Sequence, residues 1–185
     1  MNKDGLRSDL RRARRALTPA ERQAETAAIL ATLISLLEGP FASYAAVGGE
    51  VDLAGLHHEL WDHGRTIFLP RVVEAGRLAW ALVGSPADLV VGSFGIPEPD
   101  AQRTTAIELP PGCRVLVPGV GFDLQGYRLG QGGGYYDRLL DQRPDLCAIG
   151  VGFACQLVAE IPREPHDQPV RGLVIAGRVV RDPRT

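Results

Sequence analysis

The chain has 185 residues, with 20 basic and 22 acidic side chains, a formal net charge of −2, 45% apolar residues and 23% charged residues. This length fits one domain with a hydrophobic core, and the composition excludes an intrinsically disordered chain. The balanced charge excludes a protein whose whole surface is adapted to nucleic-acid phosphates, because such binding needs an excess of cations.

Two helices are predicted at the N-terminus. The first covers residues 3–17, where leucines recur at the spacing of one helical face and the other faces are rich in arginine. The second covers residues 19–38 and begins at Thr18, which a proline follows directly and Glu21 follows three positions later. That pattern is typical of a capping box at a helix start.

The remaining chain alternates between strand and helix patterns. Strands are predicted at residues 41–47, 66–69, 77–83, 114–117, 148–153 and 173–180. Helices are predicted at residues 52–63, 85–88 and 135–142. The second strand should stop at Pro70, and the last should turn as a hairpin at Ala176 and Gly177. This alternation predicts an α/β fold with a mostly parallel sheet covered by helices on both faces.

The cysteines and histidines show no spacing that is typical of a metal site. The three cysteines are an odd number without a C-x-x-C pair, which fits neither a disulfide framework nor a zinc site. His57, His58 and His63 lack metal-ligand spacing and should face solvent or cap a helix.

No apolar stretch approaches the ~20 residues of a membrane span, and no secretory signal is recognisable. We therefore expect a cytoplasmic protein.

Residues 126–137 form the most informative segment, since four of the five positions 130–134 are glycine. Glycine weakens regular structure, so the cluster indicates a backbone that closely approaches a ligand and offers N–H groups to an anion. The helix predicted next would point its positive end at the same anion. Arg128 adds a permanent charge suited to phosphate. The segment predicts a phosphate site, with a glycine-rich loop that binds nothing as the alternative.

The two common phosphate-binding motifs do not match this segment. A P-loop needs a Gly-Lys pair, and the chain contains none. The dinucleotide fingerprint G-x-G-x-x-G would need a third glycine where the chain has Tyr135, or Cys155 after the Gly150–Gly152 pair.

The string R-L-G-Q-G-G-G-Y-Y-D at residues 128–137 resembles the 5-formyltetrahydrofolate cyclo-ligase family, also called methenyltetrahydrofolate synthetases. Segments at residues 3–7, 44–52, 95–99 and 160–167 resemble the same family in the same order. The resemblance implies one cyclo-ligase domain over residues 1–185, with a fold like that of the ribose-phosphate isomerase and CoA-transferase group.

The resemblance also implies a reaction. An enzyme of this family converts 5-formyltetrahydrofolate and MgATP to 5,10-methenyltetrahydrofolate, ADP and phosphate. The formyl oxygen is phosphorylated first, and folate N10 then closes the ring. We accordingly expect ATP as co-substrate, Mg²⁺ as cofactor and a folate as partner. We expect no membrane or nucleic-acid partner, and a monomer or homodimer.

The family's site residues can be carried over to the matching positions. The ATP contacts that the resemblance implies are Lys3, Arg7, Arg128, Leu129, Gly130, Gln131, Gly132, Gly133, Gly134, Tyr135 and Tyr136. The implied folate contacts are Arg7, Glu50, Gln131, Gly132, Gly133, Gly134 and Tyr135. The implied catalytic residues are Arg128, Gln131 and Tyr135, and the implied metal ligands are Asp137 and Asp167.

Gln131 departs from the family pattern, which commonly has an arginine there. Loss of one electrostatic donor predicts a rate lower by about 10²–10³-fold unless another cation, such as Arg138, replaces it.

Three alternatives stay open: a diverged paralogue that binds nucleotide or folate without turnover, a sugar-phosphate isomerase or acyl transferase of the same fold, and an RNA-binding module that uses the arginine-rich first helix.

Overall fold

The computed structural model of the chain describes residues 2–74, 77–92 and 95–183. Within these ranges the α-helices are α1 (Lys3–Ala16), α2 (Pro19–Leu36), α3 (Ala54–Asp62) and α4 (Tyr135–Gln142). The strands are β1 (Phe41–Ala42), β2 (Ile67–Glu74), β3 (Arg77–Val83), β4 (Leu89–Val91), β5 (Pro97–Pro99), β6 (Ala106–Ile107), β7 (Arg114–Val117), β8 (Gly121–Phe122), β9 (Arg128–Leu129), β10 (Cys147–Gly152), β11 (Gly172–Ile175) and β12 (Arg178–Arg181). Among the helices of the described ranges, none is long and apolar enough to cross a membrane.

One eight-stranded sheet organises the chain, in the order β12-β11-β10-β7-β1-β2-β3-β6. The pairs from β11 through β10, β7 and β1 to β2 are all parallel. The strands at the two ends pair antiparallel: β11 with β12, β2 with β3 and β3 with β6. The expected mostly parallel sheet is confirmed. Separate small ladders join β4 to β5 and β8 to β9.

Helices cover both faces of the sheet, as the alternation of strand and helix patterns predicts. Neighbouring residues of a strand point to opposite faces, so β1 sends Phe41 to one side and Ala42 to the other. Phe41 packs in a cluster with apolar side chains of α2 and α3. Ala42 packs in a second cluster with Leu140 of α4. These two buried layers form the main core on either side of the sheet.

The connections diverge between the adjacent strands β1 and β7. From β1 the chain passes through α3 to β2 on one side, and from β7 it passes through α4 to β10 on the other. Since α3 and α4 cover opposite faces, a crevice opens beyond the carboxyl ends of these two strands. Open α/β sheets bind ligands at such a switch point.

Elements with strong local signals lie where the sequence predicts them. β3, β7 and α4 have the predicted bounds, and the capping box at Thr18 and Glu21 is present. The predicted hairpin joins β11 to β12, with φ of 48° at Ala176 and 79° at Gly177. Positive φ at both turn positions is what a tight hairpin turn requires.

Two strand predictions were wrong in extent. β1 ends at Ala42 rather than residue 47, because the chain leaves the sheet toward a turn in which Gly48 and Gly49 have positive φ. β2 continues past Pro70 to Glu74. The backbone N–H of Ser43 donates to the Phe68 carbonyl, so residues 68 and 70 direct their backbone polar groups toward β1. β1 has already ended at that level, so Pro70 removes no hydrogen bond of the ladder.

Candidate active site

A cavity of about 460 Å³ lies at the crevice beyond β1 and β7. Its wall combines the segments that follow these two strands with the glycine-rich segment, β2, β3 and β5. The lining residues are Tyr44, Ala45, Val47, Glu50, Pro70, Val72, Leu78, Ile96, Pro97, Glu98, Pro118, Gly119, Arg128, Gly130, Gln131, Gly133, Gly134, Tyr135, Tyr136 and Asp137. This volume falls within the range of small-molecule sites.

The glycine-rich segment adopts a conformation that other residues would resist. Gly132 has φ of 110° and Gly134 has φ of 64°, in the left-handed region that favours glycine. Gly134 directly precedes α4 and caps it without a side-chain hydrogen bond. The start of α4 lies at the cavity, and its first backbone N–H groups have no side-chain acceptor at the cap. Such N–H groups at the start of a helix can bind an anion.

A buried aspartate shapes the chain before this segment. Asp123 is fully buried, and its Oδ1 accepts hydrogen bonds from the backbone N–H groups of Gln125 and Tyr127, both at 3.0 Å. Its Oδ2 accepts one from the N–H of Ile161, also at 3.0 Å. Asp123 therefore joins the turn between β8 and β9 to the C-terminal segment. The β8–β9 ladder lies within residues 118–134, where the sequence predicts neither a strand nor a helix.

Glu50 forms a buried acidic wall of the cavity, with 8% of its surface exposed. Its Oε2 accepts a hydrogen bond from the Val47 N–H at 3.1 Å, and its Oε1 accepts one from Gln131 Nε2 at 3.4 Å. Burial raises the pKa of Glu50 above its ordinary value, while these two hydrogen bonds and the charge of Arg14 oppose the rise. The carboxylate keeps capacity for further hydrogen-bond donors.

Gln131 lies between a cation and this carboxylate. Its Oε1 accepts a hydrogen bond from Arg11 Nη2 at 2.6 Å, and its Nε2 faces Glu50. Sequence reasoning missed Arg11, although its position four residues after Arg7 places both arginines on one helical face. Arg138, the compensating cation suggested by sequence, instead donates to the Gly133 carbonyl and lies over the Tyr135 ring.

Arg128 and Asp137 form an ion pair with each other. Arg128 Nη2 lies 2.8 Å from Asp137 Oδ1, and the two side chains are 3% and 21% exposed. Arg128 Nη1 also donates to the Gln168 carbonyl at 2.9 Å, and the Gln168 N–H donates to Asp137 Oδ1 at 3.2 Å. Burial lowers the pKa of Arg128, and attraction to Asp137 opposes that effect. Arg128, which the sequence predicts to bind phosphate, and Asp137, which it predicts to bind a metal ion, thus neutralise each other's charge.

Lys3 makes a similar pair with the C-terminal segment. Its Nζ lies 2.7 Å from Asp167 Oδ2 and 2.9 Å from Glu164 Oε2. Burial would raise the pKa of Asp167, but hydrogen bonds from Lys3 and from the Glu164 N–H hold it below its ordinary value. Glu164, His166 and Asp167 bring possible metal-ligating atoms within 4.8 Å of one another, and Asp137 is not part of that group.

Helix α1 docks against the site through its arginines. Arg7 Nε donates to the Gly130 carbonyl at 2.9 Å. Arg14 is buried and its Nη2 donates to the Gly48 carbonyl at 2.6 Å. With Arg11 on Gln131, these contacts use three arginines within the protein. Arg12 and Arg15, the other two arginines of α1, are exposed, so only part of the basic surface that motivated an RNA-binding module is used within the protein.

The candidate residues divide between the cavity wall and its surroundings. Those in the wall are Glu50, Arg128, Gly130, Gln131, Gly133, Gly134, Tyr135, Tyr136 and Asp137. Those outside the described lining are Lys3, Arg7, Leu129, Gly132 and Asp167. Leu129 packs its side chain in an apolar cluster with Leu6 and Leu10, so only its backbone can meet a ligand.

The prediction for His57 was wrong. This residue is buried, and its Nε2 lies 2.7 Å from the Ser43 hydroxyl oxygen. Burial lowers its pKa to about 4. His63 does cap its helix, with Nδ1 2.7 Å from the Glu59 carbonyl oxygen, and His58 is exposed. The sequence carries no local signal that separates the three.

Comparison with known proteins identifies one family. A model of the 5-formyltetrahydrofolate cyclo-ligase family matches residues 1–176. The 5-formyltetrahydrofolate cyclo-ligase of Escherichia coli (strain K12) is 33% identical over 179 residues, which cover 92% of this chain and 98% of that protein. The enzyme of the same name from Mycolicibacterium smegmatis is 34% identical over 188 residues, covering 94% and 96%.

Solved structures with the same architecture carry the related name. The 5,10-methenyltetrahydrofolate synthetase of Aquifex aeolicus superposes with a TM-score of 0.83 at 37% identity, over 100% of this chain and 94% of that one. The synthetase of Mycoplasma pneumoniae superposes with a TM-score of 0.68 at 24% identity, over 95% and 98%, and it supports the fold alone.

Proposed function

Because this chain belongs to the 5-formyltetrahydrofolate cyclo-ligase family, we propose that it converts 5-formyltetrahydrofolate and ATP to 5,10-methenyltetrahydrofolate, ADP and phosphate. One observation carries the proposal. A single cavity joins a buried carboxylate, Glu50, to a glycine-rich segment that leads into the N-terminus of α4. The first suits the N–H groups of a pterin, and the second suits phosphate.

The acidic wall is proposed to hold the pterin. Glu50 would accept hydrogen bonds from ring N–H groups, which a buried carboxylate does more strongly than a neutral acceptor. Gln131 holds one oxygen of this carboxylate in place. Burial raises the pKa of Tyr44 and Tyr136, so both cavity-lining tyrosines stay neutral and can serve as apolar walls with a polar tip.

The glycine-rich wall is proposed to hold the phosphates of ATP. Backbone N–H groups of residues 130–136 and the positive end of α4 supply donors for phosphate oxygens. Lys3 and Arg7 would approach the phosphates from α1, and Arg7 would also lie near the folate. Arg128 and Tyr135 are proposed to act on the transferring phosphoryl group, because both line the cavity beside these donors.

The proposed reaction balances without a covalent enzyme intermediate. The formyl oxygen attacks the γ-phosphorus of ATP, the bond from that phosphorus to the bridging oxygen breaks, and ADP leaves. Folate N10 then attacks the formyl carbon, the carbon–oxygen bond breaks, phosphate leaves with that oxygen, and N10 loses its proton. The protein has mainly to position two substrates and to neutralise phosphate charge.

Asp137 and Asp167 are proposed to hold Mg²⁺. Carboxylate oxygens are donors that this ion accepts, and the ion commonly takes one or two of them together with phosphate oxygens. In this structure Arg128 forms an ion pair with Asp137, and Lys3 forms one with Asp167. Phosphate is an alternative partner for both cations. Bound there, Mg²⁺ would neutralise phosphate charge.

Arg11 is proposed to supply the charge that Gln131 lacks. The guanidinium group contacts the side chain of Gln131 directly, so a cation stands beside the position where the family commonly has an arginine. A charged donor at this place can stabilise the transferring phosphoryl group as a side chain at position 131 would. This favours an active enzyme over a diverged paralogue.

We further propose that the chain acts as a single domain in the cytoplasm, as a monomer or homodimer. One eight-stranded sheet runs through the described parts of the chain and supports one domain. Cys113, Cys147 and Cys155 are all unpaired, which suits a reducing compartment.

The test is an absorbance assay for methenyltetrahydrofolate with purified protein and 5-formyltetrahydrofolate, with and without MgATP. The proposal expects product that requires ATP. Absence of product, with ATP binding still measurable by calorimetry, would support the paralogue that binds without turnover. Absence of ATP binding would overturn the phosphate site.

A further inference from the structure

A second carboxylate lies in the wall of the same cavity. Glu98, in the middle of β5, is 7% exposed and lines the cavity together with Glu50. Its Oε1 is buried and has no hydrogen-bond partner within the described structure. Buried carboxylate oxygens are almost always paired, so an unpaired one at a cavity wall indicates a missing ligand.

The backbone around Glu98 makes room for its side chain. A Cβ added to Gly92 would lie 2.4 Å from Glu98 Cδ, so no other residue fits at position 92 without moving the carboxylate. The Gly92 N–H donates to the Ile96 carbonyl at 2.8 Å, next to the pairing of β4 with β5. The strand pairing of Glu98 with Val90 holds the residue at a fixed depth.

The arginine and the glutamine in the cavity wall have other partners. Arg128 pairs with Asp137, and Gln131 bridges Arg11 and Glu50. An internal salt bridge therefore does not explain why a carboxylate is buried at position 98. A ligand that brings its own N–H donors does.

We propose that Glu98 accepts a hydrogen bond from an N–H group of the folate ring system, as a second carboxylate contact beside Glu50. This inference rests on the proposed function. The donors of a reduced pterin are too far apart for one carboxylate to reach them all: the N3–H and 2-amino groups lie side by side, and N8–H lies farther along the ring. The carboxylates of Glu50 and Glu98 would repel phosphate, so together they define the folate wall and leave ATP to the glycine-rich wall.

Steady-state kinetics of the full chain test this assignment. Glu98→Gln keeps the shape of the side chain and removes the charge. We expect it to raise the KM for 5-formyltetrahydrofolate about 10- to 100-fold, as for loss of one charge-assisted hydrogen bond, and to leave the KM for ATP within about twofold. The matched control is Glu108→Gln, since the Glu108 side chain is 96% exposed. It should change neither constant.

Thermal unfolding separates this role from a structural one. Without ligands, Glu98→Gln should unfold at the same temperature as the wild type or higher, because it removes an unpaired buried charge. Addition of 5-formyltetrahydrofolate alone should then raise the unfolding temperature less than in the wild type. Gly92→Ala provides a second variant, since it displaces the carboxylate while retaining it, and it should also raise the KM for folate.

The outcomes distinguish this inference from the proposed function. A wild-type protein that neither binds nor converts 5-formyltetrahydrofolate would overturn the proposed function itself. An active wild type with an unchanged folate KM in Glu98→Gln would overturn the role of Glu98 alone. A variant that unfolds, or unfolds at a clearly lower temperature with unchanged folate affinity, would show that Glu98 is structural and would equally overturn the inference.

Discussion

Replacing Asp137 by asparagine tests the ion pair at the floor of the candidate site. Asparagine keeps an acceptor oxygen for the Arg128 guanidinium and for the Gln168 N–H, so the substitution removes charge rather than contact. Arg128 then remains buried with the Gln168 carbonyl and a neutral amide as its hydrogen-bond acceptors. Breaking a fully buried pair costs about 3–5 kcal/mol.

The expected cost here is smaller, about 2 kcal/mol, because the Asp137 side chain is 21% exposed and solvent screens part of its charge. For a chain of this length, each kcal/mol lowers the unfolding temperature by about 2–4 °C. We therefore expect the midpoint of thermal unfolding to fall by about 4–8 °C. The second expectation is a higher Mg²⁺ concentration for half-maximal turnover, if Asp137 is a metal ligand.

The measurement is thermal unfolding followed by circular dichroism, together with a Mg²⁺ titration of the absorbance assay. Asp141→Asn is the matched control, since it lies one turn later on α4 and its contact with Gln168 is exposed. Equal unfolding temperatures for the two variants would refute the stabilising role of the Arg128–Asp137 pair. A wild-type Mg²⁺ response in Asp137→Asn would refute the metal assignment independently.

Three further predictions concern the surroundings of the cavity. Lys3→Ala should raise the KM for ATP and also lower the unfolding temperature, since it leaves the largely buried Asp167 carboxylate without its cation; an unchanged ATP dependence would remove Lys3 from the site. Arg11→Ala should lower turnover by about 10²-fold, and adding Gln131→Arg should restore it, whereas Arg15→Ala should have no effect; failure of this rescue would contradict the proposed charge replacement. Burial lowers the pKa of His57 to about 4 in the folded chain. Between about pH 6.5 and pH 4, the unfolded chain therefore binds a proton at this histidine and the folded chain does not. Stability should thus be lost as the pH falls from about 6.5 toward 4, by about 2 kcal/mol at pH 5, and His57→Gln should unfold with a weaker pH dependence in urea titrations.

The sequence by itself determined the elements whose causes are local. A capping box, an alternating strand pattern and a pair of turn residues act within a few positions, so α2, β3 and the β11–β12 hairpin could be predicted from neighbouring residues. The glycine-rich string could be recognised for the same reason, because left-handed backbone and close approach depend on glycine itself. The α/β class followed from the order of these elements.

Only the tertiary structure decided which side chains meet. Lys3 meets Asp167 across 164 positions, and Arg11 meets Gln131 across 120, distances at which no periodic pattern carries information. The same holds for the strand extents: β2 passes Pro70 because β1 has ended, which depends on a neighbour rather than on the proline. Burial decided the chemistry of acids and bases, since a carboxylate or imidazole acquires its pKa from what surrounds it. The sequence named Glu50 through the family resemblance, whereas Glu98 and His57 were identified by their burial and Arg11 by its contact with Gln131.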